Sequence, residues 1–412
     1  MTRMPANGAG ERVSLGAAGA RAARVLLAAG LLALAAGLGL GIGERDHLAR
    51  FLHSYLVSFC FVLSISLGAF FFVAVHHVSR AGWSVAVRRI GELLAANMAL
   101  MALLFLPLLA PVVLGQHILY AWGNPALVQP GGEQFRELIA HKRPWLNVPF
   151  FALRGLAYLA AWWLLTRYYL RRSVEQDASG DVSLTLRMER WSGPALILFG
   201  WTVTFAAFDW LMSLEAEWSS TIFGLHFFAG CVVGGLSAIV LAAVFLQATG
   251  RAARSITAEH YHDLGKWMLA FVIFWGYMAF SQYLLIWYAN IPEETVWYLK
   301  RQTGGWLYVT LALLFGHLVI PFFGLMSREV KRRRRWLAAG AVWLLAFHWL
   351  DLYWLVMPSL ARGSPPFGWM DVCLAAGMLS LFVASVLRGA GGKALVPQKD
   401  PRLAESLAFE NV

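Results

Sequence analysis

The chain has 412 residues, of which 59% are hydrophobic and 14% charged, and its mean hydropathy is +0.60. Soluble domains carry about 45–50% apolar and about 25% charged residues, so a water-soluble enzyme is excluded. The 19 Trp, 27 Phe and 12 Tyr exclude disorder. The net charge of +11 does not point to nucleic acid, because Lys and Arg stand in short clusters between long apolar runs.

A bilayer crossing takes about 20 mostly apolar residues. Ten runs qualify: 25–42, 55–75, 93–114, 148–165, 194–214, 221–246, 267–289, 306–326, 336–357 and 367–387. Lipid cannot satisfy backbone polar groups, so each run is expected to be helical and the fold all-α. Residues 1–24 then form a cytoplasmic N-terminal segment, 25–387 the membrane domain, and 388–412 a Gly-rich, then polar, mobile cytoplasmic tail. The first run follows Arg21 and Arg24 and lacks an Ala-x-Ala cleavage pattern after it, so it reads as a retained anchor. Gly37 with Gly41, Gly39 with Gly43, and Gly230 with Gly234 form G-x-x-x-G pairs, which mark close helix packing.

Orientation follows from the basic residues. The two terminal segments and the loops after helices 2, 4, 6 and 8 hold 25 Lys and Arg, whereas the alternate loops hold 8. Cytoplasmic loops retain positive charge, which predicts both termini inside a bacterial inner membrane and makes Lys331–Arg335 a cytoplasmic stop. The longest outer loop, about Gly115 to Asn147, contains Pro125, Pro130, Gly131, Gly132 and Pro144 and reads as a structured or partner-binding segment.

Ionisable groups within spans are expensive, so each is a functional candidate. Here they are Arg154, Asp209, His226, His317, His348, Asp351 and Asp371, with Gln282 and Asn97 as neutral polar groups. The charged set lies toward the outer half. His348 and Asp351 are three apart and share a helix face, as do Thr202 and Asp209 at seven apart. Imidazole beside carboxylate suits proton relay. The expected path is Asp209, His226, His348, Asp351 and Asp371, with Arg154 setting carboxylate pKa values or pairing structurally with Asp209 or Asp371.

Cys60, Cys231 and Cys373 are far apart in apolar runs, and no C-x-x-C or zinc-ligand spacing exists, so the chain itself is expected to bind no redox metal. His317 and His348 are the one pair with the depth for b-type haem ligation. A faint repeat relates Asp209-Trp-Leu-Met-Ser-Leu to Asp351-Leu-Tyr-Trp-Leu-Val-Met-Pro-Ser-Leu, which suggests two four-helix bundles, helices 2–5 and 6–9, flanked by helices 1 and 10.

Two blocks are more specific. Ala207 to Gly230 reads AFDWLMSLEAEWSSTIFGLHFFAG, and His262 to Thr295 reads HDLGKWMLAFVIFWGYMAFSQYLLIWYANIPEET. They resemble the second NrfD-like membrane subunit of bacterial alternative complex III, a quinol:cytochrome c oxidoreductase. The resemblance implies an inactive isolated chain that works beside a c-type cytochrome, an iron–sulfur protein and another NrfD-like subunit. It implies quinone or quinol as the small-molecule ligand of the complex, and leaves open whether this chain has a quinone site of its own. In that family one NrfD-like subunit binds quinol and both are proposed to conduct protons; this chain resembles the other copy. Where the family pattern has Asp-Pro-His-Trp, this chain has Glu215-Ala216-Glu217-Trp218, and His226 stands where the next helix carries Tyr. A secondary transporter is the alternative, since transporters also bury charges and break corresponding helices with Gly or Pro. Pro107 and Pro111 in helix 3 and Pro321 in helix 8 are the available breaks; helix 7, the repeat mate of helix 3, has none.

Overall fold

The structure, a computed structural model, describes residues 14–41, 45–130, 135–252 and 254–411. Among these, ten helical segments are long and apolar enough to span a membrane: Gly16–Gly41, Leu48–Val78, Gly82–Val113, Val148–Ser179, Val182–Glu215, Phe223–Ala248, Ala258–Ala289, Trp306–Met326, Arg334–Ser359 and Trp369–Gly389. No strand occurs among the described residues. The protein is an all-helical, multi-pass membrane protein.

Several helices outrun their apolar stretches. The first begins at Gly16 instead of near residue 25, the second at Arg45 and the third segment at Gly82. Arg50, Arg88, Arg89 and Glu92, expected in connecting loops, are therefore helical. Each of these side chains finds a partner, and those partners let charged residues join the helix without being left unpaired.

The second span is the central one, with 94% of its most apolar window buried against 17% for the first. It touches the third, fifth, sixth, ninth and tenth spans, so its contacts run across the expected division between helices 2–5 and 6–9. Its crossing with the sixth span brings backbones together. A Cβ added to Gly68 would lie 1.8 Å from the carbonyl oxygen of Cys231, and one on Gly235 would lie 2.4 Å from the carbonyl carbon of Gly68. Of the expected glycine pairs, Gly37 meets Leu374 of the tenth span and Gly41 meets Phe51, whereas Gly39 faces open space. Gly43 lies outside the described residues.

The tail is a correction. It does not hang free but docks on the basic ends of the helices: Leu395 and Val396 are buried, Asp400 pairs with Arg88, and the Gln398 backbone N–H donates to Asp177 at 2.7 Å. Ser406 donates to the Trp83 carbonyl at 2.7 Å and lies 3.1 Å from His260 Nε2. The long loop at the opposite end is ordered as expected, except that Gly131 and Gly132 lie outside the described residues. Tyr120 donates to the Trp210 carbonyl at 3.0 Å, and Lys142 to that of Ala216 at 2.7 Å.

The helix crossing gives a direct test. Gly68→Val is expected to abolish most of the folded yield, because backbone cannot retreat from the new methyl groups, whereas Gly39→Val is expected to leave it unchanged. Size-exclusion profiles of the two variants in detergent check this.

Candidate functional site

The ninth span carries His348 and Asp351 on one face, and the sixth span is shaped to receive them. A Cβ on Gly230 would lie 2.8 Å from His348 Cε1, and one on Gly234 3.0 Å from His348 Cδ2. This glycine pair is thus a seat for an imidazole as well as a packing motif. Ser64 Oγ lies 2.7 Å from His348 Nε2 on the other side. One turn further on, Asp351 Oδ1 lies 3.2 Å from His226 Nε2, and Oδ2 accepts from the Trp275 indole N–H at 3.0 Å. His317 lies against the Trp275 ring, with centroids 4.1 Å apart, and 6.4 Å from the His348 ring.

The four groups His226, His317, His348 and Asp351 are buried. His226 Nδ1, His348 Nδ1 and both nitrogens of His317 have no hydrogen-bond partner among the described residues. Buried polar atoms are normally satisfied, so a concentration of open imidazole nitrogens beside one carboxylate marks a place for water or a ligand hydroxyl. His317 sits in a π-helical turn, Leu314–Val319, just ahead of Pro321. Proline cannot donate to the His317 carbonyl, which favours the wider turn, and such turns are frequent at functional sites.

A cleft of about 450 Å³ reaches this cluster between the seventh, eighth and ninth spans. Its inner wall includes His226, Asp351 and Trp275; Phe280 and Leu314, 59% and 45% exposed, stand at the lipid-facing side. Tyr298, from the short helix Pro292–Gln302, also lines it and accepts from Gln282 Nε2 at 3.2 Å, while Gln282 accepts from Ser220. Burial pushes the Tyr298 phenol pKa up, so it remains a neutral donor.

Asp209 and Asp371 are built differently. Asp209 accepts two bonds from Arg154, both at 2.8 Å, one from Tyr158 at 2.8 Å and one from the Trp145 indole at 2.9 Å. The Arg154 guanidinium sits 4.1 Å from the Trp145 and Phe150 ring centroids. Asp371 accepts from both Nη atoms of Arg50 (Nη1 at 2.9 Å), from Ser54 at 2.6 Å and from the Gly368 backbone at 2.9 Å. Of the two partners expected for Arg154, it takes Asp209; Asp371 takes Arg50.

The expected five-residue path is therefore not one hydrogen-bonded chain. His226 and Asp351 meet directly, with His317 and His348 around them, while Asp209 and Asp371 stand in two separate arginine clamps. Thr202, expected beside Asp209, accepts from the Trp162 indole at 2.8 Å instead. Sequence reasoning missed Arg50, Tyr158, Trp145, Trp275 and Ser64. The one-turn spacing of Arg50 and Ser54 was the available signal for the Asp371 clamp.

The segment that departs from the family pattern also has a place. Glu215 accepts from Arg301 Nη1 at 3.1 Å and pairs with Lys300. Arg301 donates in turn to the carbonyls of Trp354 and Leu355, capping the ninth helix, with its guanidinium 3.5 Å from the Trp297 centroid. Burial draws the Arg301 pKa down to about 10 against the opposing pull of Glu215.

Removing one member of a buried pair leaves a bare charge. Arg154→Gln is expected to destabilise the fold by about 3–5 kcal/mol, and Arg154→Gln with Asp209→Asn by clearly less. Arg136→Gln, which breaks only the exposed pair with Glu217, is expected to cost less than about 1 kcal/mol. Equilibrium unfolding in mixed micelles measures all three. No protein-family model matches this chain, and no curated protein matches its sequence.

Proposed function

We propose that this chain is an integral membrane subunit of a respiratory quinol:cytochrome c oxidoreductase, and that the cleft receives a quinol head group against His226 and Asp351. The observation that carries the reading is the contrast among the three carboxylates. Asp351 is the one that meets an imidazole in place of a guanidinium, and it lies at a lipid-facing apolar cleft.

Quinol oxidation must shed two protons for two electrons. His226 Nδ1, unpartnered among the described residues, is the acceptor for a quinol hydroxyl proton, and Asp351 beside Nε2 stabilises the imidazolium that forms. Trp275 fixes the carboxylate so that it does not swing away. His348 and His317 extend the set of titratable nitrogens inward from the cleft. Electrons leave through redox-carrying partner subunits, an iron–sulfur protein and a c-type cytochrome, and a second NrfD-like subunit completes the set of partners that the sequence resemblance supports. The distribution of Lys and Arg supports a bacterial inner-membrane location with both termini cytoplasmic.

The π-turn beside Pro321 interrupts the eighth span at the cleft, and this favours the second reading, a secondary transporter. Asp351→Asn separates the two. In the assembled complex it is expected to leave subunit composition intact and to lower quinol:acceptor turnover by about 10²-fold, the weight of a lost proton-transfer group. Turnover at the parental level sinks the quinol reading. If no redox partner travels with the chain in mild detergent and Asp351→Asn abolishes solute uptake, the transporter reading stands.

A further inference from the structure

A second cavity, of about 580 Å³, lies between the fourth and fifth spans at their basic ends. Leu164, Leu165, Pro194 and Leu198 form apolar walls, and Arg167, Arg171 and Arg172 form the rim. Leu164 is 60% exposed and Leu198 46%, so the walls stand open along the lipid-facing side of the helices. Arg172 is engaged by Glu175 at 2.9 Å, whereas Arg167 and Arg171 pair with no carboxylate among the described residues. No acidic residue lines the cavity.

Depth identifies the level in the bilayer. Arg167 lies 19 residues beyond Val148, the first residue of its span, which is about 28 Å along the helix and close to the hydrocarbon thickness of about 30 Å. Its guanidinium rests 5.1 Å from the Trp163 ring centroid, and Trp191 lines the cavity from the fifth span. Exposed tryptophans beside arginines at one helix end are an interfacial signature. Basic charge at headgroup level above an apolar trough matches a molecule with an anionic phosphate and acyl chains.

We propose that this groove is a binding site for one anionic glycerophospholipid, its phosphate on Arg167 and Arg171 and an acyl chain along Leu164 and Leu198. The site is remote from His226 and Asp351 and does not depend on the function proposed for them.

The test uses the full chain, delipidated in detergent and titrated with dioleoylphosphatidylglycerol, with adducts counted by native mass spectrometry. Dioleoylphosphatidylcholine and inorganic phosphate are the comparison probes. Arg167→Gln with Arg171→Gln is expected to weaken phosphatidylglycerol binding about thirtyfold, the weight of two surface arginines. Leu198→Trp, which fills the trough and leaves every charge, is expected to weaken it as well. Unchanged melting temperatures confirm that both variants are folded, and Arg167→Lys with Arg171→Lys, which keeps both charges, is expected to retain binding. Equal retention of phosphatidylcholine, or no loss in the glutamine variant, overturns the proposal. So does displacement of the lipid by millimolar inorganic phosphate together with unchanged binding to Leu198→Trp, since the ligand is then the phosphate ion alone.

Discussion

A carboxylate inside a bilayer must have its charge answered within a few ångströms, and this fold is arranged around three such answers. Leaving an ion unpaired there costs several kcal/mol, a large part of the stability of any domain. Arg154 meets Asp209 in a two-pronged contact completed by a phenol and an indole, and Arg50 meets Asp371 with a serine and a helix-start amide. These clamps tie the fourth span to the fifth and the second to the tenth. Their donors occupy the oxygens of both side chains, which makes Asp209 and Asp371 fixed anchors. Among the described residues, Asp351 receives an imidazole and an indole and no guanidinium. A guanidinium keeps its proton whereas an imidazole can give one up, and that difference sets the Asp351 site apart from the two clamps.

Close helix packing is what makes the imidazole arrangement reachable. Gly68 and Gly235 bring the second and sixth spans to backbone contact, and Gly230 and Gly234 then leave an opening on the sixth span that His348 fills. Side chains at those positions would force the ninth span outward and carry Asp351 away from His226. The widened turn at His317 and the cap that Arg301 places on the ninth helix hold the other sides of the cleft. The long loop between the third and fourth spans closes the fifth span through Trp145 and Tyr120, while the tail closes the basic ends through Asp400 and Ser406.

The ten spans were legible because hydropathy alone decides whether a run of about 20 residues can lie in lipid. The pairing of Arg154 with an acidic residue of a neighbouring span and the face shared by His348 and Asp351 were legible from helical spacing. Arg50 was not, because a hydropathy run ends where the charges begin, whereas a helix continues as long as its charges find partners. Asp371 had a partner outside the apolar run, so reading spans as apolar runs removed that partner from view. Gly230 and Gly234 were legible as small residues, but which side chain fills the space depends on which helix packs there. The tail, Gly-rich and polar, has the composition of a loose end; Arg88, Asp177 and Trp83, all far away in sequence, give it a surface to bind.

The proposed function requires that the His226–Asp351 pair take up and release a proton, so that the surroundings of Asp351 change with pH while those of the arginine-clamped Asp209 and Asp371 do not. The most direct measurement is an infrared pH-jump difference spectrum of the chain in lipid nanodiscs, with carboxyl bands assigned by single Asp-to-Asn substitution. Asp351→Asn is expected to remove a carboxyl signal from the difference spectrum, while Asp209→Asn and Asp371→Asn leave it unchanged. A carboxyl signal that survives in Asp351→Asn and disappears in Asp209→Asn or Asp371→Asn would contradict that requirement.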